Sequence, residues 1–282
     1  MRFLFYIGIL CLFSCKKSYS DIYAISDLEQ VSLKSDTCLL ASISSTNYTN
    51  TEEILSLNYV TLTKGYANRL TTINNITNST RNRFRVFIND TLSIYDGDSI
   101  FLDKATKYVK RIATIKRPLE LEFDQYEYRF FYKDSLLELK LMYVNGDTIP
   151  YYESRYNYAN NQLEKIEMYF KPENKLIFQS AFKYEKNIKV KPWIYYYSDF
   201  FSLSEHLLVF NFGAMPTAIV TEMESVYFDN DGSTVLGLWK TVFSNYKISK
   251  DNYVLRAACF GQRIQSLPYL FQNIELKYQC KN

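Results

Sequence analysis

Few residues in this chain carry groups that could act together in acid–base, nucleophilic or metal chemistry. There is one histidine, His206, next to Glu205. That pair offers a general base, but no partnered nucleophile accompanies it. A single histidine also excludes His-rich zinc centres and HExxH peptidases. Glu120 and Glu122 stand two apart, the spacing of one strand face, and a glycosidase needs two facing carboxylates. Alternation on a solvated strand explains them more simply. Asp96-Gly97-Asp98 and Asp229-Asn230-Asp231-Gly232 have the composition of calcium loops. Counted from Asp229, the position that an EF-hand reserves for a bidentate Glu is Lys240, so both stretches read as tight turns. Only 8 glycines occur, with no GxGxxG or GxxxxGK[ST], so nothing cradles a phosphate. The expectation is a protein that is not an enzyme and holds no metal or cofactor.

The residues that do recur are tyrosines. Tyr132, Tyr158 and Tyr184 repeat every 26 residues, each with an aromatic two positions earlier: Phe130, Tyr156 and Phe182. Each is followed by a polar stretch, Lys133-Asp134-Ser135, Ala159-Asn160-Asn161-Gln162 or Glu185-Lys186-Asn187, and then an aliphatic run opening at Leu136, Leu163 or Ile188. Tyr227-Phe228-Asp229-Asn230-Asp231-Gly232 reads as a later copy. Residues i and i+2 of a strand share a face. The tyrosines and their partners therefore present an aromatic stripe, able to pack a core or to stack on a sugar. Tyr132, Tyr156, Tyr158 and Tyr184 are the candidate ligand-facing residues, and the ligand class is a glycan or another amphipathic molecule.

The elements that must position this stripe follow from the period. Two strands of about nine residues and two turns of about four fill the repeat. Asn145-Gly146 adds a hairpin turn whose two residues tolerate positive φ. Of the 282 residues, 17% are aromatic, which favours strands. The sequence predicts an all-β fold, an antiparallel hairpin meander curled into a barrel-like or open twisted sheet. One short helix is expected near 202–208, where Ser202 or Ser204 can cap Glu205-His206-Leu207-Leu208. Between Trp193 and Pro216 the rhythm breaks into a long connection. A net charge of +3 without a basic stripe gives no case for nucleic acid.

The chain opens with Met1 and Arg2, then an uncharged apolar run from Phe3 to Phe13. Such a run is too short to span a roughly 30 Å hydrocarbon core as a helix and suits the h-region of a signal peptide. It ends in Leu12-Phe13-Ser14-Cys15, which resembles the lipobox of bacterial lipoprotein signal peptides. The resemblance implies cleavage before Cys15 and acylation of its thiol and new amino terminus. Acyl chains anchor without spanning, at about 0.8 kcal/mol per buried methylene. The expected organisation is a signal peptide over 1–14, a lipidated tether over 15–35 and one β domain over 36–282. No Asp follows the cysteine, so an outer-membrane destination in the cell envelope is expected, with either leaflet open.

The mature chain would keep three further cysteines, Cys38, Cys259 and Cys280. An exported location permits disulfides, and a bond from Cys38 to Cys259 or Cys280 would tie the first strand region to the last. Buried thiols acting as small apolar residues are the alternative.

The Tyr-x-Tyr, polar turn, Leu-x-x-Ile unit resembles the YD-type hairpin repeats of secreted bacterial proteins. The whole layout resembles more closely a family of Bacteroidetes lipoproteins of unknown function with a porin-like fold. The residues that carry this are Leu12 to Lys17, the Cys38-Leu39-Leu40 opening, the three 26-residue units, and Lys191-Pro192-Trp193 before the long connection. The resemblance implies a broad barrel-like sheet and brings no catalytic residues. Four tripeptides beginning at Asp90, Asp98, Asp134 and Asp147 look like the Asp-Ser/Thr-aliphatic sites that Bacteroidetes O-glycosylate, which would place sugars on Thr91, Ser99, Ser135 and Thr148. The functional expectation is a lipid-anchored outer-membrane protein with a structural or ligand-binding role. The alternatives are an integral outer-membrane pore and a glycan-acting enzyme. Charged residues alternate through many runs, as in Leu137-Glu138-Leu139-Lys140-Leu141. That pattern suits a sheet with one wet face.

Overall fold

The computed structural model describes residues 29–31, 38–48, 54–65, 69–75, 79–81, 85–95, 97–115, 125–191, 210–229, 232–263 and 269–280. The segment 1–15 with Cys15, Glu120, Glu122 and the expected helix at 202–208 with His206 lie outside them. Among the described residues there are strands and turns but no helix. The strands are β1 (Glu29–Val31), β2 (Cys38–Tyr48), β3 (Ile54–Gly65), β4 (Arg69–Asn75), β5 (Ser79–Arg81), β6 (Arg85–Asn89), β7 (Leu92–Tyr95), β8 (Asp98–Leu102) and β9 (Val109–Ile115). They continue as β10 (Gln125–Lys133), β11 (Leu136–Val144), β12 (Tyr152–Ala159), β13 (Gln162–Phe170), β14 (Lys175–Lys189), β15 (Ala218–Phe228), β16 (Val235–Ser249), β17 (Val254–Arg263) and β18 (Tyr269–Cys280).

All belong to one 18-stranded sheet. Its antiparallel ladder runs from β6 through β10 and on to β18. It then returns to β2 and continues to β5. The pairing of the last strand with the second curls the meander on itself. Among the described residues no register joins β5 to β6.

The expected tether is partly structured. Within it, Glu29–Val31 pairs in parallel with Lys247–Ser249 of β16. The reason is a vacant edge: the β15 register on β16 stops at Val242, which leaves the end of β16 free on that side.

Two of the three predicted repeat turns form two-residue hairpins. Asp134 and Ser135 have φ of 49° and 69°, and Asn160 and Asn161 have 51° and 60°. This is the left-handed pair that a tight hairpin needs, and Asp and Asn tolerate it best. Asn145-Gly146 also turns with positive φ at both residues. The third predicted turn, Glu185-Lys186-Asn187, does not form. β14 runs on to Lys189, and a register shift between Glu185 and Lys189 absorbs the polar residues as a bulge. Only Asn187 in that stretch readily takes the left-handed conformation, so no two-residue turn is available. At Asp229 the turn is present, with Gly232 N–H donating to Asp229 C=O at 2.9 Å. It lies at the opposite end of the sheet from the turns after Tyr132 and Tyr158.

The core sits on the concave face. Tyr126, Tyr128 and Phe130 of β10 alternate inward and join Tyr156, Leu163, Ile166, Ile219 and Phe243 in one buried cluster that draws on strands from β7 to β18. The stretch before β15 crosses one end as a floor. The Phe210 ring meets Tyr95 edge-on at 5.8 Å and Phe212 meets Phe130 at 5.1 Å. Val109 N–H donates to Asn211 C=O at 2.9 Å and Ala214 N–H to Ser135 C=O at 2.6 Å.

Candidate functional site

The tyrosine stripe faces this interior, and its hydroxyls bond to the backbone of neighbouring strands. Tyr132 Oη donates to the Val109 carbonyl on β9 at 2.7 Å. Tyr184 Oη donates to Leu163 on β13 at 2.7 Å. Each tyrosine follows a register shift, between Phe131 and Tyr132 or between Lys183 and Tyr184. A bulge turns the strand and re-aims the side chain, here across to the preceding strand. Tyr158 also follows such a shift, and it packs against the core. Tyr156 is 3% exposed. A fourth member escaped the sequence reading. Tyr246 Oη donates to Val220 on β15 at 2.5 Å, and its strand shifts register between Ser244 and Lys247. Its signal was an aromatic before the Ser249–Asn252 turn, off the 26-residue period. The geometry assigns Tyr132, Tyr184 and Tyr246 to bolting adjacent strands. Each such bond contributes about 0.5–1.5 kcal/mol.

Beyond the tyrosines lies a polar belt. Lys140 is 4% exposed on the concave face, with Phe130 and Ser154 as its cross-strand partners. Ser154 Oγ is fully buried and has no hydrogen-bond partner among the described residues. Ser180 and Ser225 share a hydrogen bond at 2.6 Å, and Trp239 Nε1 donates to Thr241 Oγ1 at 3.0 Å. An aromatic rim follows toward the far end. There Tyr151 meets Tyr152 at 4.8 Å and Phe170 at 5.0 Å, and Phe178 meets Tyr227 at 5.0 Å. Tyr152, Phe170, Phe178, Tyr227 and the serine belt were not singled out from sequence, because their facing depends on which strands pair.

The convex face carries charge. Glu127 bridges Arg111 at 3.3 Å and Arg129 at 2.6 Å. Glu153 takes Arg155 at 2.5 Å and Lys171 at 3.1 Å. Lys165 pairs with Glu167 at 2.6 Å, and Glu222 takes Lys183 at 2.7 Å and Lys240 at 2.6 Å. Burial alone would raise the Glu222 carboxyl, but the hydrogen bonds from Lys183 and Lys240 outweigh it and hold the group below its ordinary value. Glu153 is lowered in the same way, with burial opposed by Lys171 and Arg155.

These shifts set a pH dependence. A carboxyl lowered on folding stabilises the folded state above the unfolded value of 4.5, and that stability is lost as the pH falls through the lower folded value. The thermal midpoint should therefore fall on acidification below pH 4.5. Glu222→Gln should remove part of that fall and leave the slope above pH 6 unchanged, as thermal scans over a pH series would show.

Cys259 does not join a disulfide. It is a free thiol, 1% exposed among apolar neighbours, and burial pushes its pKa up, so it packs as a small apolar residue. Cys38 and Cys280 lie opposite one another in the β2–β18 register. Of the glycosylation candidates, Ser135 and Thr148 are exposed in turns. Ser99 is half-buried on β8, and Thr91 donates its hydroxyl to Asn89 Oδ1 at 3.1 Å.

No family model matches the sequence, and no curated protein matches it. Among solved structures, a porin-like protein from Bacteroides uniformis superimposes with a TM-score of 0.57 at 13% identity. The match covers 85% of this chain and 96% of that one. At this identity the likeness is one of fold: the chain builds an antiparallel porin-like β-sheet.

Proposed function

We propose that the chain is a lipid-anchored protein of the outer membrane, acylated at Cys15, whose barrel-like domain stands in water beside the bilayer rather than crossing it. The observation that carries this reading is the polarity of the sheet. A membrane-spanning barrel needs an outward apolar band about 25 Å tall, and each Arg or Lys at its midplane costs about 2–4 kcal/mol. Here the outward face carries ion pairs from Arg111 to Lys240 among apolar residues such as Leu139, Leu141 and the Val242–Phe260 cluster, while tyrosine, phenylalanine, leucine and isoleucine fill the inside. Those ion pairs support a domain folded in water.

The role is structural or ligand-holding and not enzymatic. An amphipathic ligand, a glycan included, would meet the rim aromatics Tyr151, Tyr152 and Tyr227, which keep exposed surface. The bolting hydroxyls of Tyr132 and Tyr184 are already engaged. Ser135 and Thr148 are the two candidate positions best presented for O-glycosylation. Metabolic labelling with an alkyne fatty acid tests the anchor. Wild-type protein should carry the label and Cys15→Ala should carry none; label retained on Cys15→Ala would overturn the assignment.

A further inference from the structure

We propose that Cys38 and Cys280 form a disulfide across the seam where the last strand meets the second. The two residues are Cα partners at the end of the β18–β2 register, directly after Tyr278↔Leu40 and Gln279↔Leu39. Opposed residues of an antiparallel pair have Cα atoms about 4.5–5.5 Å apart. A disulfide accepts roughly 4.4–6.8 Å, so the register brings the pair within reach of a bond. The remaining mature cysteine does not compete. Cys259 has Phe243 and Gln272 as its cross-strand partners, and its thiol is buried and free. Three pairings are conceivable from sequence, and the register selects this one.

The place matters as much as the pair. β2 and β18 are the first and last long strands of the chain, and their pairing is what curls the meander. A covalent bond there joins the ends of a loop that contains nearly the whole domain, the case in which a cross-link restricts the unfolded chain most. The bond also holds the outer end of the β18–β2 pair, where the ladder stops.

The chemistry requires an oxidant, and the proposal rests on the envelope location for it. One thiol loses its proton and attacks a disulfide on an exported dithiol oxidase. The second cysteine, deprotonated in turn, then displaces that mixed disulfide. The two cysteines lose two electrons and two protons, and the oxidant's disulfide becomes two thiols.

Peptide mapping of the mature lipoprotein tests it. The protein is denatured in N-ethylmaleimide without reductant and then digested. The expected result is one linked peptide pair containing Cys38 and Cys280, with Cys259 alkylated. Reduction should lower the thermal midpoint by roughly 5–15 °C. Cys38→Ser/Cys280→Ser should melt where the reduced wild type melts, and Cys259→Ala should keep the linked pair. A second arm treats reduced purified protein with oxidised glutathione. Linkage there, without linkage in the cell, supports the pairing and overturns the envelope location. Alkylation of Cys38 and Cys280 in both arms, or linkage of either one to Cys259, overturns the proposal.

Discussion

Replacing Ile166 with alanine should destabilise the protein by about 2–5 kcal/mol, the range for emptying a well-packed aliphatic site. Ile166 is fully buried on the concave face, between Tyr156 and Ser180 on the flanking strands. The shortened side chain leaves a void that the rigid ladder cannot collapse around. Asn157→Ala, on the convex face of the neighbouring strand, should stay within about 0.5 kcal/mol of wild type. Urea unfolding of the two variants checks the pair. If the concave face instead lined a water channel, both substitutions would be nearly neutral, because no apolar packing would be lost at Ile166.

Gly213→Ala should undock the floor. Gly213 has φ of +90°, a conformation that costs an alanine about 1–3 kcal/mol. The added Cβ would also collide with the Ser135 carbonyl and press on the Tyr132 ring. The same carbonyl accepts the Ala214 N–H, so the collision falls where the floor is tied to the β10–β11 hairpin. Gly97→Ala is the control. Its φ of +93° is as unfavourable, but nothing lies near the new Cβ. The expected result is a larger loss at Gly213 than at Gly97. It should be accompanied by faster hydrogen exchange at Val109, whose N–H is held by the Asn211 carbonyl. Equal losses with unchanged exchange would mean that the floor is not anchored there.

Local chemistry was legible in the sequence, and facing was not. Asp134-Ser135 and Asn160-Asn161 announce hairpins because few other residue pairs accept two left-handed conformations in succession. The strands between them have the predicted length, with β10, β11 and β13 each 9 residues and β12 8. Glu185-Lys186-Asn187 was misread because polarity alone does not make a turn; β14 carries the stretch as a bulge. The excess of tyrosine suggested a wet aromatic surface. Tyr132, Tyr184 and Tyr246 satisfy their hydroxyls on strand carbonyls instead, an arrangement set by long-range register and bulges. Phe210 and Phe212 alternate as a strand would, and only their contacts with Tyr95 and Phe130 identify a floor. The polar belt of Lys140, Ser154, Ser180 and Ser225 was invisible for the same reason. A serine reads as solvent-facing until its parity is tied to that of a buried neighbour such as Tyr156.

The central claim is that a barrel-like domain with a charged exterior reaches the membrane through its acyl anchor alone. The direct test is fractionation of a chain in which a cleavable secretory signal peptide replaces residues 1–15, so that neither the acyl group nor an uncleaved apolar segment remains. The account predicts that this protein leaves the envelope in the soluble fraction without detergent, with the same urea unfolding curve as the acylated form. Retention in the membrane pellet through alkaline carbonate, released only by detergent, would contradict it.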